Sequence, residues 1–173
     1  MTTDSTTARP PRPHHWLRLA LFLIAAVELL DALSIVKNIF TDYHHTTALL
    51  RFAQALTSVK LALAPLAAGA ALVLAVLGRV RHAILALAAL LLLTWLLDDV
   101  WSIPIHGLEF SADYGGMVVF VHHAVFPALA IAGAALALKD RRLALAGLLV
   151  CLPTLFNLAG IALFTIMIMM YGF

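Results

Sequence analysis

The sequence predicts an all-α integral membrane protein, a helical bundle of five transmembrane helices with its N-terminus in the cytoplasm and its C-terminus outside. Three observations predict this fold class. Apolar residues make up 64% of the 173 residues and charged residues only 12%, against roughly 45–50% and ~25% in a soluble domain. The mean hydropathy is +1.02. Five stretches hold enough consecutive apolar residues to cross the hydrocarbon core of a bilayer as helices.

The same composition excludes several classes of protein. A soluble enzyme of this size has more surface than so few charges can cover, and a disordered chain would be far less apolar. The formal net charge of +2 is too small for a nucleic-acid-binding domain. We therefore expect the lipid bilayer as a partner and no nucleic acid. The predicted location is the cell inner (plasma) membrane, crossed in several passes.

The first element is a polar tail. Residues 1–13, MTTDSTTARPPRP, are rich in Thr and Pro and lack apolar side chains to bury, so they are predicted to be a flexible cytoplasmic tail. Residues 14–173 then form one transmembrane domain. Its first apolar run, 16–39, is longer than the core of a signal peptide and contains Glu28 and Asp31. It is therefore predicted to be a retained span.

Four further spans follow the first one. They are predicted at 55–77, 82–101, 117–138 and 143–170. Short charged turns at 78–81 and 139–142 join successive spans, and such tight turns predict antiparallel helical hairpins. Two longer links are predicted at 40–54 and 102–116, the second containing one Pro and three Gly.

The orientation follows from the distribution of Lys and Arg in the links. With the N-terminus inside, the cytoplasmic side holds eight of the eleven basic residues: Arg9, Arg12, Arg18, Arg79, Arg81, Lys139, Arg141 and Arg142. The outer side holds two, Lys37 and Arg51, and Lys60 lies within a span. Because cytoplasmic links carry the excess of basic residues, this asymmetry predicts the orientation, and an odd number of spans then places the C-terminus outside.

Polar and ionisable side chains within the spans are the main functional clue. Each costs ~2.5–3.5 kcal/mol to insert at the centre of a span, so each needs a reason. In the predicted topology all of them lie in the outer half of the bilayer, and every span contributes at least one. The predicted site comprises Glu28, Asp31, Lys60, Asp98, Asp99, His122, His123 and Asn157. Five helices are not expected to place polar groups at one depth unless these groups meet.

These residues predict a polar pocket that opens toward the outer face. Carboxylates one helical turn apart beside imidazoles can hold an ion or pass a proton, so we expect small-solute, ion or proton-coupled binding or transport. Lys60 is expected to face Glu28 and Asp31 and to pair with them. Adjacent residues on an α-helix point ~100° apart, so we expect only one residue of the pair His122 and His123 to face a ligand.

Two alternatives stay open. The first is a membrane-embedded metal-dependent oxidoreductase or lipid-modifying enzyme, with His122, Asp98 and Glu28 as candidate ligands. The sequence commits to no metal, cofactor or catalytic residue, and it offers no pair of mid-span histidines for a haem. The second is a non-catalytic subunit of a membrane complex, in which the charges only join helices. A homo-oligomer is compatible with every alternative.

Aromatic residues and prolines complete the prediction. Trp16, Trp95 and Trp101 lie toward the ends of spans and are predicted to mark the membrane interfaces. Pro65, Pro127 and Pro153 lie inside spans, where a kink either widens a cavity or is simply accommodated by packing.

Overall fold

The computed structural model describes residues 15–36, 48–106 and 114–172. The predicted tail at 1–13 and the central parts of both long links lie outside these ranges. Every element is helical: α1 (His15–Val36), α2 (Ala48–Val76), α3 (Val80–His106), α4 (Tyr114–Phe120), a π-helical segment (Val121–Val125), α5 (Phe126–Leu138) and α6 (Leu143–Tyr171).

Five spans in the described part of the chain are long and apolar enough to cross a membrane. They are α1, α2, α3, the continuous run of α4, the π-helical segment and α5, and finally α6. The prediction of an all-α bundle with five membrane-spanning helices is therefore confirmed. The chain is a multispan membrane protein.

The long links are shorter than the sequence predicts. Helix α2 begins at Ala48 rather than at residue 55, and α3 continues to His106 although a loop was predicted from residue 102. Pro104 lies in the last turn of α3, where its missing N–H removes one backbone hydrogen bond, that to the carbonyl four residues earlier. The helix nevertheless continues to His106.

Two tight turns form one end of the bundle, called the hairpin end below. In the first, Gly78 adopts a left-handed conformation with φ +73°, and the N–H of Arg79 donates to the carbonyl of Leu74 at 2.9 Å. This arrangement satisfies carbonyls that a helix C-terminus leaves free. The turn between α5 and α6 likewise has two residues with positive φ, Asp140 and Arg142.

Two arginines join helices at the hairpin end through hydrogen bonds. Arg18 Nη2 on α1 donates to the carbonyl of Val76 at the end of α2, at 2.9 Å. Arg81 Nη2 on α3 donates to the carbonyl of Leu138 at the end of α5, at 3.1 Å. A cation at a helix C-terminus is favourable because the helix dipole is negative there. Both bonds link helices that are not joined by the adjacent turn.

The apolar core lies toward the hairpin end. A stripe of buried alanines on α2, with spacings of four, three and four residues, faces α1 and α3: Ala64, Ala68, Ala71 and Ala75. Small residues let helices approach closely in a bilayer, where packing rather than water exclusion holds them together. Leu21, Ile84 and Leu87 fill the space opposite.

The opposite end, at which α1, α3 and α6 finish, is called the distal end. From Leu155 to Gly172 every residue of α6 is exposed, so this half-helix is less covered by the bundle than the half near the hairpin end. The distal half contains fewer buried apolar side chains, and the intramembrane polar groups lie there.

Candidate functional site

A polar cavity of about 390 Å³ lies in the distal half, and residues from all five spans line it. All eight residues of the predicted site contribute to its wall: Glu28, Asp31, Lys60, Asp98, Asp99, His122, His123 and Asn157. The bundle thus brings together residues that are up to 129 positions apart in the chain, from 28 to 157. Their common location is a structural fact, whereas their role in binding stays a prediction.

Lys60 forms an ion pair across the cavity wall. Its Nζ on α2 lies 2.6 Å from Oδ2 and 2.8 Å from Oδ1 of Asp98 on α3. The expected partner was wrong: Lys60 pairs with Asp98 rather than with Glu28 or Asp31, although all four line the same cavity. The antiparallel α2–α3 hairpin explains this choice, because adjacent helices of a hairpin bring residues equally far from their turn face to face.

The two carboxylates of α1 have no cationic partner among the residues that the structure describes. Glu28 Oε1 accepts a hydrogen bond of 2.5 Å from the Thr154 hydroxyl on α6. Within residues 15–36, 48–106 and 114–172, neither Glu28 nor Asp31 forms an ion pair. The cavity wall therefore contains acidic groups that no described basic side chain pairs with.

Asp99 and His123 form a second polar pair. His123 Nδ1 lies 2.9 Å from the carbonyl of Val119, which only accepts, so Nδ1 carries the hydrogen. His123 Nε2 lies 3.2 Å from Asp99 Oδ1. A hydrogen bond between these two atoms needs one proton, which is on the imidazole or on the carboxyl group. Either position of the proton satisfies this hydrogen bond.

The second oxygen of Asp99 is an unused acceptor. Asp99 is only 6% exposed, and its Oδ2 has no hydrogen-bond partner among the residues that the structure describes. A buried polar atom without a partner costs free energy. Because Asp99 lines the cavity, the wall of the cavity contains a buried acceptor without a partner in the described residues.

Both adjacent histidines face the cavity, which corrects the expectation that only one would. They lie in the π-helical segment, where the N–H of Phe126 donates to the carbonyl of Val121, five residues earlier. The wider turn brings His122 and His123 onto one side, with ring centroids 6.1 Å apart. Single π-helical turns inside α-helices are frequent at functional sites.

Trp95, which was predicted to mark a membrane interface, is also part of the cavity wall. It lines the cavity, and its Nε1 donates to the carbonyl of His123 at 3.2 Å. That carbonyl lies four residues before Pro127, which has no N–H to offer it. A proline four residues after His123 is the sequence signal from which this free carbonyl could have been predicted.

Five further residues of the wall were not predicted as part of the site. They are Leu91, Thr94, Phe126, Pro127 and Pro153. The rings of His122 and Phe126 lie 5.3 Å apart. The two prolines favour the interpretation in which a break in the helix makes room for the cavity.

A second cavity, called the groove below, lies between α1, α4 and α6. It has a volume of about 580 Å³ and mainly apolar walls, formed in part by Val27, Val118, Phe156, Ile161 and Phe164. The groove and the polar cavity share three residues of their walls: Glu28, Asp31 and Asn157. The two spaces are therefore neighbours, and the unbalanced carboxylates lie where they meet.

The polar groups of the cavity wall include carboxylates, imidazoles, an amide and an ammonium. Among the residues that the structure describes, no three His, Cys, Asp or Glu side chains form a group able to hold a metal. The candidate ligands His122, Asp98 and Glu28 all line the cavity, but they do not form such a group. Carboxylate oxygens and aromatic rings together can bind a cation that carries N–H groups.

Comparison with known proteins found no relative of this chain. The chain matches no protein-family model, no curated protein and no solved structure.

Proposed function

We propose that this protein binds a small cationic solute in the polar cavity as a step in its transport across the membrane. One observation carries the proposal: residues from all five spans line one cavity, and two of its carboxylates have no cationic partner in the described chain. A single structural ion pair between two helices would need only two of these spans.

The charge of the cavity favours a cation. Four carboxylates and one ammonium line it. With the one proton that the Asp99–His123 hydrogen bond requires, two negative charges remain. Unbalanced charge inside a bilayer is costly, so a bound cation or further protons must offset it.

The Asp99–His123 pair allows a proton to change position within the site. Its shared proton can move between Nε2 and Oδ1 when a cation approaches or leaves, because the charge of the site then changes. In the proposed orientation the N-terminus is cytoplasmic and the cavity opens toward the outer face of the plasma membrane. This orientation rests on the excess of basic residues in the links on the other side.

Uptake of radiolabelled guanidinium into proteoliposomes tests the proposal. Guanidinium stays charged at every usable pH and does not cross a bilayer as a neutral molecule. We expect uptake driven by an inside-negative potential to exceed that of empty liposomes, and the double variant Glu28→Gln, Asp31→Asn to lose at least about tenfold in rate.

The matched control is Asp140→Asn. It removes a carboxylate from the turn at the hairpin end, and Asn tolerates the positive φ of that position, so uptake should be unchanged. Equal uptake by the wild type, the double variant and empty liposomes would overturn the proposed function.

A further inference from the structure

The groove beside the polar cavity points to the class of solute. Its walls are apolar, and three residues on them are largely exposed: Phe156, Ile161 and Phe164. In a bilayer such an exposed face meets lipid chains rather than water. The groove therefore opens from the polar cavity, in the plane of the membrane, toward the surrounding lipid chains.

The boundary between the two spaces combines charge and apolar surface. Glu28, Asp31 and Asn157 line both of them. The rings of Phe126, on the polar side, and Phe156, on the groove side, meet edge to face with centroids 5.5 Å apart. None of the described residues that line the groove is basic, so a cationic head group at this boundary would meet carboxylates, an amide and aromatic rings.

We infer that the solute is an amphiphilic cation, whose head group with N–H donors binds in the polar cavity and whose alkyl chain lies in the groove. This inference rests on the proposed function and adds the class of ligand. Two independent observations support it: Oδ2 of the cavity-lining Asp99, which is buried and has no partner among the described residues, and the apolar groove that adjoins the carboxylates of α1. An anionic or neutral amphiphile would leave both carboxylates unbalanced.

Two glycines provide a test variant and its control. A Cβ added at Gly160 meets nothing within 4 Å, and the same holds for Gly69. Gly160 lies on the wall of the groove but not of the polar cavity. Gly69 lies on α2 and lines neither of them. A Phe side chain at 160 would occupy the groove, whereas one at 69 would not.

The experiment measures saturable binding of radiolabelled guanidinium and decylguanidinium to the protein in lipid nanodiscs, after subtraction of partition into empty nanodiscs. For Gly160→Phe we expect decylguanidinium to bind about tenfold more weakly, while guanidinium binds within about twofold of the wild type. For Gly69→Phe we expect both affinities to be unchanged. Partition into lipid is the same in all samples, so it cannot produce this difference.

The outcomes separate the two proposals. If Gly160→Phe weakens neither compound, or weakens both equally, the groove does not hold the alkyl chain and the inference is overturned, even where guanidinium still binds. If neither compound binds saturably to the wild type, both the proposed function and this inference are overturned.

A second measurement on the wild type guards against misfolding of the glycine variants. Decylguanidinium with a photoreactive diazirine at the end of its chain should label α6 around Ile161 and Phe164 in preference to equally exposed sites elsewhere, such as Leu66 on α2. Uniform labelling of the exposed apolar surface would contradict the inference.

Discussion

Lys60 on α2 and Asp98 on α3 form an ion pair in the distal half of the bundle, with Nζ 2.6 Å from Oδ2 and side chains 27% and 44% exposed. The ammonium meets both oxygens of the carboxylate, so each charge balances the other within the membrane. The pair joins the two helices of one hairpin, and Glu28 and Asp31 of α1 take no part in it.

Removing one member of this pair should destabilise the protein. Lys60→Met leaves Asp98 unbalanced, and we expect a cost of about 3 kcal/mol, the low end for buried pairs because both side chains are partly exposed. Adding Asp98→Asn should recover most of the loss, since no unpaired charge remains. Thermal unfolding in detergent, followed by size-exclusion fluorescence, measures both effects. Additive destabilisation by the two changes would show that the pair does not form.

The hydrogen bond between Thr154 and Glu28 should hold α6 against α1. Thr154→Val keeps the shape of the side chain but removes the hydroxyl that donates at 2.5 Å, so we expect a loss of about 1–3 kcal/mol in the free energy of unfolding. Thr154→Ser should retain most of the stability. Thr165→Val is the control, because that hydroxyl bonds only to the carbonyl of Ile161 in its own helix. An equal effect at both positions would contradict the interhelical role.

The close contact of α5 and α6 at Gly133 should not tolerate a side chain. A Cβ there would lie 2.5 Å from Val150 Cγ2 and 3.0 Å from the carbonyl of Ala146. We expect Gly133→Ala to lower the free energy of unfolding by about 1–3 kcal/mol through overpacking. Gly69→Ala, with open space around its Cβ, should be neutral or stabilising, since Ala favours the helix. Chemical denaturation of both variants in one detergent compares them, and a stable Gly133→Ala would argue against this helix contact.

The predicted orientation can be tested by labelling with an impermeant thiol reagent on intact cells. The native Cys151 is first replaced by Ala, and single cysteines are then introduced at Ser5, Ser111 and Asp140. We expect reaction only at position 111, because the tail and the α5–α6 turn are predicted to face the cytoplasm. Labelling at 140 but not at 111 would reverse the orientation and place the polar cavity toward the cytoplasm.

The sequence was sufficient to predict the architecture and the ionisable residues of the cavity wall. Long apolar runs specify spans almost without regard to neighbours, because every backbone group in lipid must be bonded within its helix. The cost of intramembrane charge made the polar positions stand out, and the alternation of span direction placed them at one depth. Helix ends were less predictable: α2 begins at Ala48 rather than at residue 55, since polar residues beyond the hydrocarbon core can still be helical.

The pairing within the cavity could not be predicted from the sequence. Lys60 has four carboxylates at compatible depth, and only the packing of α2 against α3 selects Asp98. The common orientation of His122 and His123 depends on a π-helical segment that no periodicity of apolar residues reveals. The role of Trp95 depends on the carbonyl that Pro127 leaves free, a long-range contact that its position near a span end does not indicate.

The central claim is that the unbalanced carboxylates of α1 bind a cation. Solid-state NMR of the protein in lipid, with ¹⁵N-labelled guanidinium and ¹³C-labelled carboxyl groups, measures this contact directly. We predict dipolar contacts from the bound guanidinium to Glu28 and Asp31, lost in the double variant Glu28→Gln, Asp31→Asn and kept in Asp140→Asn. Guanidinium that binds without contacting either carboxylate, or that contacts only carboxylates at the surface such as Asp140, would contradict the claim.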